Sequence, residues 1–461
     1  MKKLNQLEES KFLRLFFAFI SLCFIVGAIA LPQRALMFKG FMNIMRQPCK
    51  VSTNYFALGG YSGAFLNMGV VGLFCTALCF LPGAKPNNVT TLGFLLTVGF
   101  CSWGINLVNI IPTMLGVCLF CLVKKEKLGS QINAMMFSTG IAPIISEMLF
   151  RYPGTDYTGF WLTAEHSFAT VNWLGIGLAL FVGLIIGFFL PAGLGHAPNI
   201  HKGFNHYSAA VPIGFTAFFL RSALFTVMGV ELPAAPKYEV VTQSFMNTNI
   251  FCFAVFGLCI VFALLMGCKF KDYWNLMKDS GHGVSFTTKY GNAPFLMNVG
   301  VFGLMIVGYY NLAMAISGTE VWTGMTFGIV FCMLATCNSG SHPRNVWPIM
   351  VGYMLTSLLF GLLYQGEGDF VKTMGVGSQS ILIGLCYANG MSPISGKYGF
   401  PFGILAGGLH YLLVTAVPSM HGGFCLYNGG FTAALICLLF VPQLEKFFKT
   451  KEERKGLKAA K

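Results

Sequence analysis

The chain has 461 residues, of which 55% are apolar and only 10% charged, with a formal net charge of +14. A soluble domain carries about 25% charged residues, so this composition excludes a water-exposed globular fold and leaves a lipid-embedded one. The basic residues lie in short loops and in both tails, as the positive-inside bias has it, and no basic patch interleaves with aromatics, so no nucleic-acid partner is expected.

Apolar runs of about 20 residues are long enough to cross a bilayer, and shorter ones are re-entrant candidates. In chain order they fall near residues 12–31, 64–82, 90–104, 107–123, 129–150, 171–194 and 207–228, then near 249–268, 295–317, 321–340, 345–364, 377–395, 398–418 and 424–442. The runs are continuous rather than alternating, which selects helices over a lipid-facing barrel. The predicted fold class is therefore all-α: a polytopic membrane protein of about 14 hydrophobic segments, some of them re-entrant. Lys2, Lys3, Lys11 and Arg14 precede an apolar run from Leu15 to Leu31, and Ala28-Ile29-Ala30 near its end imitates a signal-peptidase site. The same run recurs deep in the chain, so it is read as a retained span.

Self-comparison divides the segments into two sets of seven. Phe17-Ala18 and Leu22-Cys23 return as Phe253-Ala254 and Leu258-Cys259. An amphipathic stretch with Phe38, Phe41, Met42 and Met45 returns with Phe270, Tyr273, Trp274 and Met277. Asn67 and Gly69 return as Asn298 and Gly300, and NxxPxMxG at Asn109, Pro112, Met114 and Gly116 returns at Asn345, Pro348, Met350 and Gly352. Ser130-Gln131 returns as Ser378-Gln379, and GxxPI at Gly140 to Ile144 returns at Gly390 to Ile394. HxGFxxY at His201, Gly203, Phe204 and Tyr207 returns at His421, Gly423, Phe424 and Tyr427, followed in both places by Gly-Phe-Thr-Ala.

Matches kept in one order argue a tandem duplication: a first membrane repeat over 1–230, a polar linker over 231–248, a second repeat over 249–444 and a basic tail over 445–461. The offset falls from 250 at GxxPI to 220 at the histidine motif, which assigns about 30 extra residues of the first half to the polar stretch from Arg151 to Thr170. With seven segments per half, the second repeat enters the membrane upside down if all of them span. Loop charge agrees, since Lys124 to Lys127 sum to +2 whereas Glu367, Asp369 and Lys372 sum to −1. Both termini are then expected in the cytoplasm of a cell-membrane protein. The basic stretch from Arg34 to Lys50 fits only if it lies flat at the interface.

In such a protein the repeated polar motifs are the candidates for a solute path. Asn109 and Asn345, three residues before Pro112 and Pro348, either line an opening or serve a helix kink. Asn67 and Asn298 sit in apolar, glycine-rich segments and are either packing groups or ligand contacts. Gln131 and Gln379 open their segments and read equally as caps or as filter residues. The HxGF elements are the strongest candidates: Gly203 and Gly423 allow close backbone approach, His201 and His421 can donate and accept, and Tyr207 and Tyr427 close the motif. Glu147 is either a coupling site or the partner of Arg151. His196 and His206 near His201 suggest a metal site, but the second half keeps only His421, and the 15 cysteines, Cys118 and Cys121 included, mostly lie in apolar runs as small hydrophobes. No metal, cofactor or enzymatic activity is predicted.

The duplicated HxGFxxY and Gly-Phe-Thr-Ala elements resemble a family of duplicated bacterial membrane proteins whose function is not established, a resemblance that covers most of the chain. Tyr427-Asn428-Gly429 and the glycine-rich segment around Asn298 are also similar to short elements of bacterial urea transporters. There the match departs in two places: Tyr207 is followed by Ser208, and Asn298 lies well over 100 residues before Tyr427. The expected function is a channel or transporter for a small polar solute at the contact between the halves, with the lipid bilayer as partner and room for a homo-oligomer. The alternatives are a multipass enzyme acting on a lipid-linked substrate and a non-transporting sensor or assembly protein.

Overall fold

A computed structural model describes residues 1–154, 172–233, 244–318 and 322–459, so most of the stretch assigned to the insertion and the centre of the 231–248 linker lie outside the described residues. Counting helices of seven residues or more, the first half contains α1 (Glu9–Ala30), α2 (Met37–Met45), α3 (Tyr55–Leu78), α4 (Asn88–Phe100), α5 (Leu107–Lys124), α6 (Ile132–Ser138), α7 (Ala142–Phe150), α8 (Trp173–His201) and α9 (Ala210–Arg221). The second contains α10 (Ser244–Leu265), α11 (Phe270–Leu276), α12 (Asn292–Ser317), α13 (Gly324–Leu334), α14 (Pro343–Leu363), α15 (Gln379–Ala388), α16 (Ser392–Tyr398), α17 (Phe400–Val414) and α18 (Asn428–Phe447), followed by α19 (Lys451–Ala459) in the tail. The described residues hold no strand. Leucines and phenylalanines such as Leu122, Phe189, Leu362 and Leu439 stand exposed on the outside, the surface that lipid covers.

Each of the fourteen expected segments contains helix, yet among the described residues ten candidate spans are long and apolar enough to cross a membrane unaided. The other four are shorter or broken segments, the kind the sequence reading allows as re-entrant, so the structure does not give fourteen full spans. Segment 90–104 is the 13-residue α4, segment 321–340 is α13 with a one-turn 3-10 extension, segment 377–395 breaks into α15 and α16, and segment 398–418 is the 15-residue α17. Short and broken helices survive at membrane depth only where protein surrounds them. Every residue of α4 from Thr90 to Phe100 is indeed buried, as is every residue from Gly324 to Asn338.

Contacts establish the inversion. The equivalent helices α4 and α13 lie side by side but run in opposite directions: Asn338 Nδ2 bonds Thr91 Oγ1 at one end, and Ser102 Oγ bonds Gly324 O at 2.6 Å at the other. One end of the bundle gathers both chain termini, where Glu9 accepts from Ser285 and Thr288, Lys202 pairs with Glu445, and Lys451 bonds Ser395 O. The opposite end gathers Lys50, Tyr152, Leu224 and Gly423. The stretch from Arg34 to Lys50 folds largely as α2, packed through Gly40 on Gly59 with Phe38 70% exposed, and its repeat α11 leaves Phe270 78% exposed. Both are short amphipathic helices at the rims of the bundle.

Candidate functional site

The centre of the molecule is assembled from helix ends, and local sequence explains each one. Asn87 caps α4 and Asn106 caps α5, each in a reciprocal box with the residue three positions on, Thr90 and Asn109. Asn345 Oδ1 likewise accepts from His342 N–H at 3.0 Å ahead of α14. The orphan carbonyls after α4 and α13 are taken by the amides of the repeated asparagines. Asn67 Nδ2 donates to Cys101 O and Ile105 O, and Asn298 Nδ2 donates to Cys337 O and Ser341 O. The short helices touch through Gly328, where a side chain would strike Gly99 O and Ser102 Oγ.

The second pair of helix breaks lies at the GxxPI motifs, where single 3-10 turns at Thr139–Ile141 and Asn389–Met391 interrupt α6–α7 and α15–α16. Each break is filled by the HxGFxxY loop of the other half. Tyr207 of the first half packs its ring on Gly390, and His206 N–H donates to Gly390 O at 3.0 Å. Tyr427 of the second half packs on Gly140, and Leu426 N–H donates to Gly140 O at 2.9 Å. Gly203 and Gly423 turn these loops with φ of 76° and 78°, which a residue with a Cβ rarely adopts.

The exchange is symmetric in backbone and asymmetric in chemistry. Tyr207 Oη has three acceptors in reach: Cys332 O at 2.9 Å, Asn389 Oδ1 at 3.0 Å and Cys386 O at 3.1 Å. Tyr427 Oη faces Thr139, which stands where the second half has Asn389, and has no hydrogen-bond partner among the described residues. Thr139 and Thr97 hydroxyls lie 3.3 Å apart and both reach Met136 O. Phe100 lies beside this group between Trp103 at 5.0 Å and Tyr427 at 5.7 Å, and Trp103 Nε1 is buried without a partner among the described residues.

The structure separates the remaining candidates from this centre. Asn109 and Asn345 are engaged in capping, with Asn109 Nδ2 also bonding Gly104 O and Ser146 Oγ, while Asn345 borders a cavity of about 230 Å³ at the end of the bundle rather than the crossing. Their prolines and glycines pack helices: Pro112 and Gly116 meet Gly183 and Gly187 of α8, while Pro348 meets Gly403 and Gly352 meets the backbone at Ile404 of α17. Gln131 bonds Glu126 in a surface loop, and Gln379 accepts from Thr323 Oγ1 at the opposite end. His201 and His421 also lie at opposite ends and do not converge. His201 Nε2 meets Ser208 Oγ at 2.9 Å, whereas His421 packs on Phe431 with both nitrogens unpartnered among the described residues, and burial pushes it down to about 4. Glu147 is held by Arg151 through two bonds of 2.7 and 2.8 Å, the pairing that their spacing allowed. Among the described residues no three His, Cys, Asp or Glu side chains are grouped to hold a metal ion.

Thr97, Thr139, Asn389, Phe100 and Trp103 were not singled out by motif. Thr139 and Asn389 immediately precede the two GxxPI glycines, so a polar residue at that position was the available signal.

Neither a search of curated proteins nor one of solved structures returned a match, and the urea-transporter likeness finds no support in either. A family model described as a protein of unknown function, DUF1576, matches residues 33–228 and again 265–446, in keeping with a duplicated chain. These spans cover most of the sequence, and the chain belongs to the DUF1576 family.

Proposed function

We propose that the chain carries a small polar solute, neutral or weakly charged, across the cell membrane as a channel or transporter, along the contact between its two inverted halves. The main support is the exchange of the Tyr207 and Tyr427 loops into the helix breaks of opposite halves. Unwound backbone at membrane depth is tolerated where it is buried in protein or lines a path, and paired discontinuous helices at a repeat interface are where transporters hold their solutes. The polar groups at the crossing are hydroxyls, an amide and backbone carbonyls, and the one buried acid among the described residues, Glu147, is paired with Arg151. That chemistry suits a solute that offers hydrogen bonds and little charge.

An enzymatic role draws less support. His201 Nδ1 accepts from Asn205 N–H, which places the ring proton on Nε2, pointing at Ser208 Oγ. A serine nucleophile needs a histidine that accepts from it. The basic residues of both tails favour cytoplasmic termini. In liposomes, uptake of urea, ammonium, short carboxylates and amino acids tests the reading. We expect flux of at least one, lost in Gly140→Val, whose side chain enters the Tyr427 ring; no flux of any of them would remove the proposal.

A further inference from the structure

On the end of the bundle that holds both termini, two adjoining cavities of about 410 and 230 Å³ share Arg344 and Lys451 as lining. The larger adds Trp347, Tyr398, Phe400, Phe402 and Arg454; the smaller adds Lys278 and Lys455. Five cations thus converge from three separate parts of the chain. The first turns of α14 and α17, at Arg344 and Phe400, also reach it with their positive helix ends.

The fold uses only part of this charge. Lys451 donates to Ser395 O and Arg454 to Tyr398 O, so these two satisfy the last carbonyls of α16 and hold α19 in place. Arg344 lies 5.8 Å over the Trp274 ring, and none of the five belongs to an ion pair among the described residues. The one carboxylate in the lining, Asp279, is committed to Lys289 at 2.6 Å and Tyr290 at 2.7 Å. The duplication supplies an internal comparison: Val108 stands in the first half where Arg344 stands in the second, and Ile111 where Trp347 stands. The repeated architecture therefore forms without this cation and this ring.

Along one rim Trp347 and Phe400 stack at 6.1 Å and are 41% and 57% exposed, as aromatic rings are at the headgroup level of a bilayer. We propose that this cradle binds the phosphate of an anionic phospholipid headgroup, with Arg344, Lys451 and Lys455 facing the phosphate and Trp347 and Phe400 lying beside its acyl chains. Basic pockets between helices on the cytoplasmic side bind such headgroups, and each lysine or arginine near the surface contributes about fivefold in affinity.

The test is thermal unfolding of the purified full chain in detergent, titrated separately with phosphatidylglycerol, phosphatidylcholine and inorganic phosphate. Phosphatidylglycerol is expected to raise Tm saturably and the other two to leave it unchanged. Arg344→Val with Lys455→Gln should weaken that response about thirtyfold. The control Lys125→Gln with Lys127→Gln, which removes two charges from a loop elsewhere, should retain it. An equal response to phosphatidylcholine, a response to inorganic phosphate alone, or an undiminished response in the first double variant would each overturn the proposal. If that variant fails to fold, Arg344→Gln alone carries the same test, with about fivefold weakening expected.

Discussion

Tyr207 Oη and Asn389 Oδ1 meet at 3.0 Å across the boundary between the halves, whereas their duplicates Tyr427 and Thr139 face each other with the tyrosine hydroxyl unpartnered among the described residues. One crossing is closed by hydrogen bonds, and the other retains spare hydrogen-bonding capacity in a buried place. A buried polar group without a partner costs stability and marks either a strained position or a place where something else binds.

The two tyrosines should consequently respond differently to loss of the hydroxyl. Tyr207→Phe removes the single hydroxyl proton that faces three buried acceptors and is expected to cost about 1–3 kcal/mol. Tyr427→Phe loses no bond and should leave stability within about 0.5 kcal/mol of the parent while changing solute flux. Denaturation in detergent beside liposome uptake measures both, and equal destabilisation would contradict the asymmetry.

The contact at Gly99 and Gly328 leaves no room for a methyl group. Gly328→Ala drives a Cβ into Gly99 O and Ser102 Oγ and should force α4 and α13 apart, at a cost of about 1–3 kcal/mol. Gly177→Ala, in the long apolar helix α8 with open space at its Cβ, should be neutral or slightly stabilising. Melting curves of the two variants provide the comparison.

Asn67 and Asn298 should be structural anchors. Either change to Leu strips donors from two carbonyls at a half-helix end and is expected to cost about 1–3 kcal/mol for each carbonyl left bare. A flux variant with normal stability at either position would instead assign it to the path.

His421 should make the protein acid-sensitive. Burial holds it down at about 4, against about 6.5 in an unfolded chain, so the unfolded state binds the proton first and stability falls as pH drops from about 6.5 toward 4. The slope is at most about 1.4 kcal/mol per pH unit for one such group. His421→Phe should flatten that portion of the profile, read as Tm against pH, and an unchanged slope would show that His421 contributes nothing to it.

Inversion predicts that Lys125 and Lys372 face opposite compartments. Lys125→Cys and Lys372→Cys should be labelled by a membrane-impermeant maleimide from opposite sides of sealed vesicles, and labelling from the same side would contradict the topology.

Much of the candidate site was legible as motif and little of it as contact. HxGFxxY stood out because both halves retain it, and the structure puts Tyr207 and Tyr427 at the crossing. His201 and His421 belong to the same motif yet end on opposite faces, because inversion separates any pair of equivalents that lies away from the midplane. Thr139 and Asn389 went unnoticed because they differ. A search for recurring residues passes over positions where two halves have diverged, and this divergence decides which tyrosine keeps a free hydroxyl.

By itself the amino-acid sequence determined the solvent, the helical class and the duplication, since apolar content, run length and motif order are properties of a one-dimensional string. It also pointed to caps and turns, because Asn87, Asn106, Gly203 and Gly423 act within a few residues of themselves. Only the tertiary structure decided that Tyr207 fills the break at Gly390 and Tyr427 the break at Gly140. Those contacts join residues far apart in the chain, and they exist because an upside-down second half brings each loop against the unwound backbone of the other, where an unsatisfied carbonyl in hydrocarbon would be too costly to leave open.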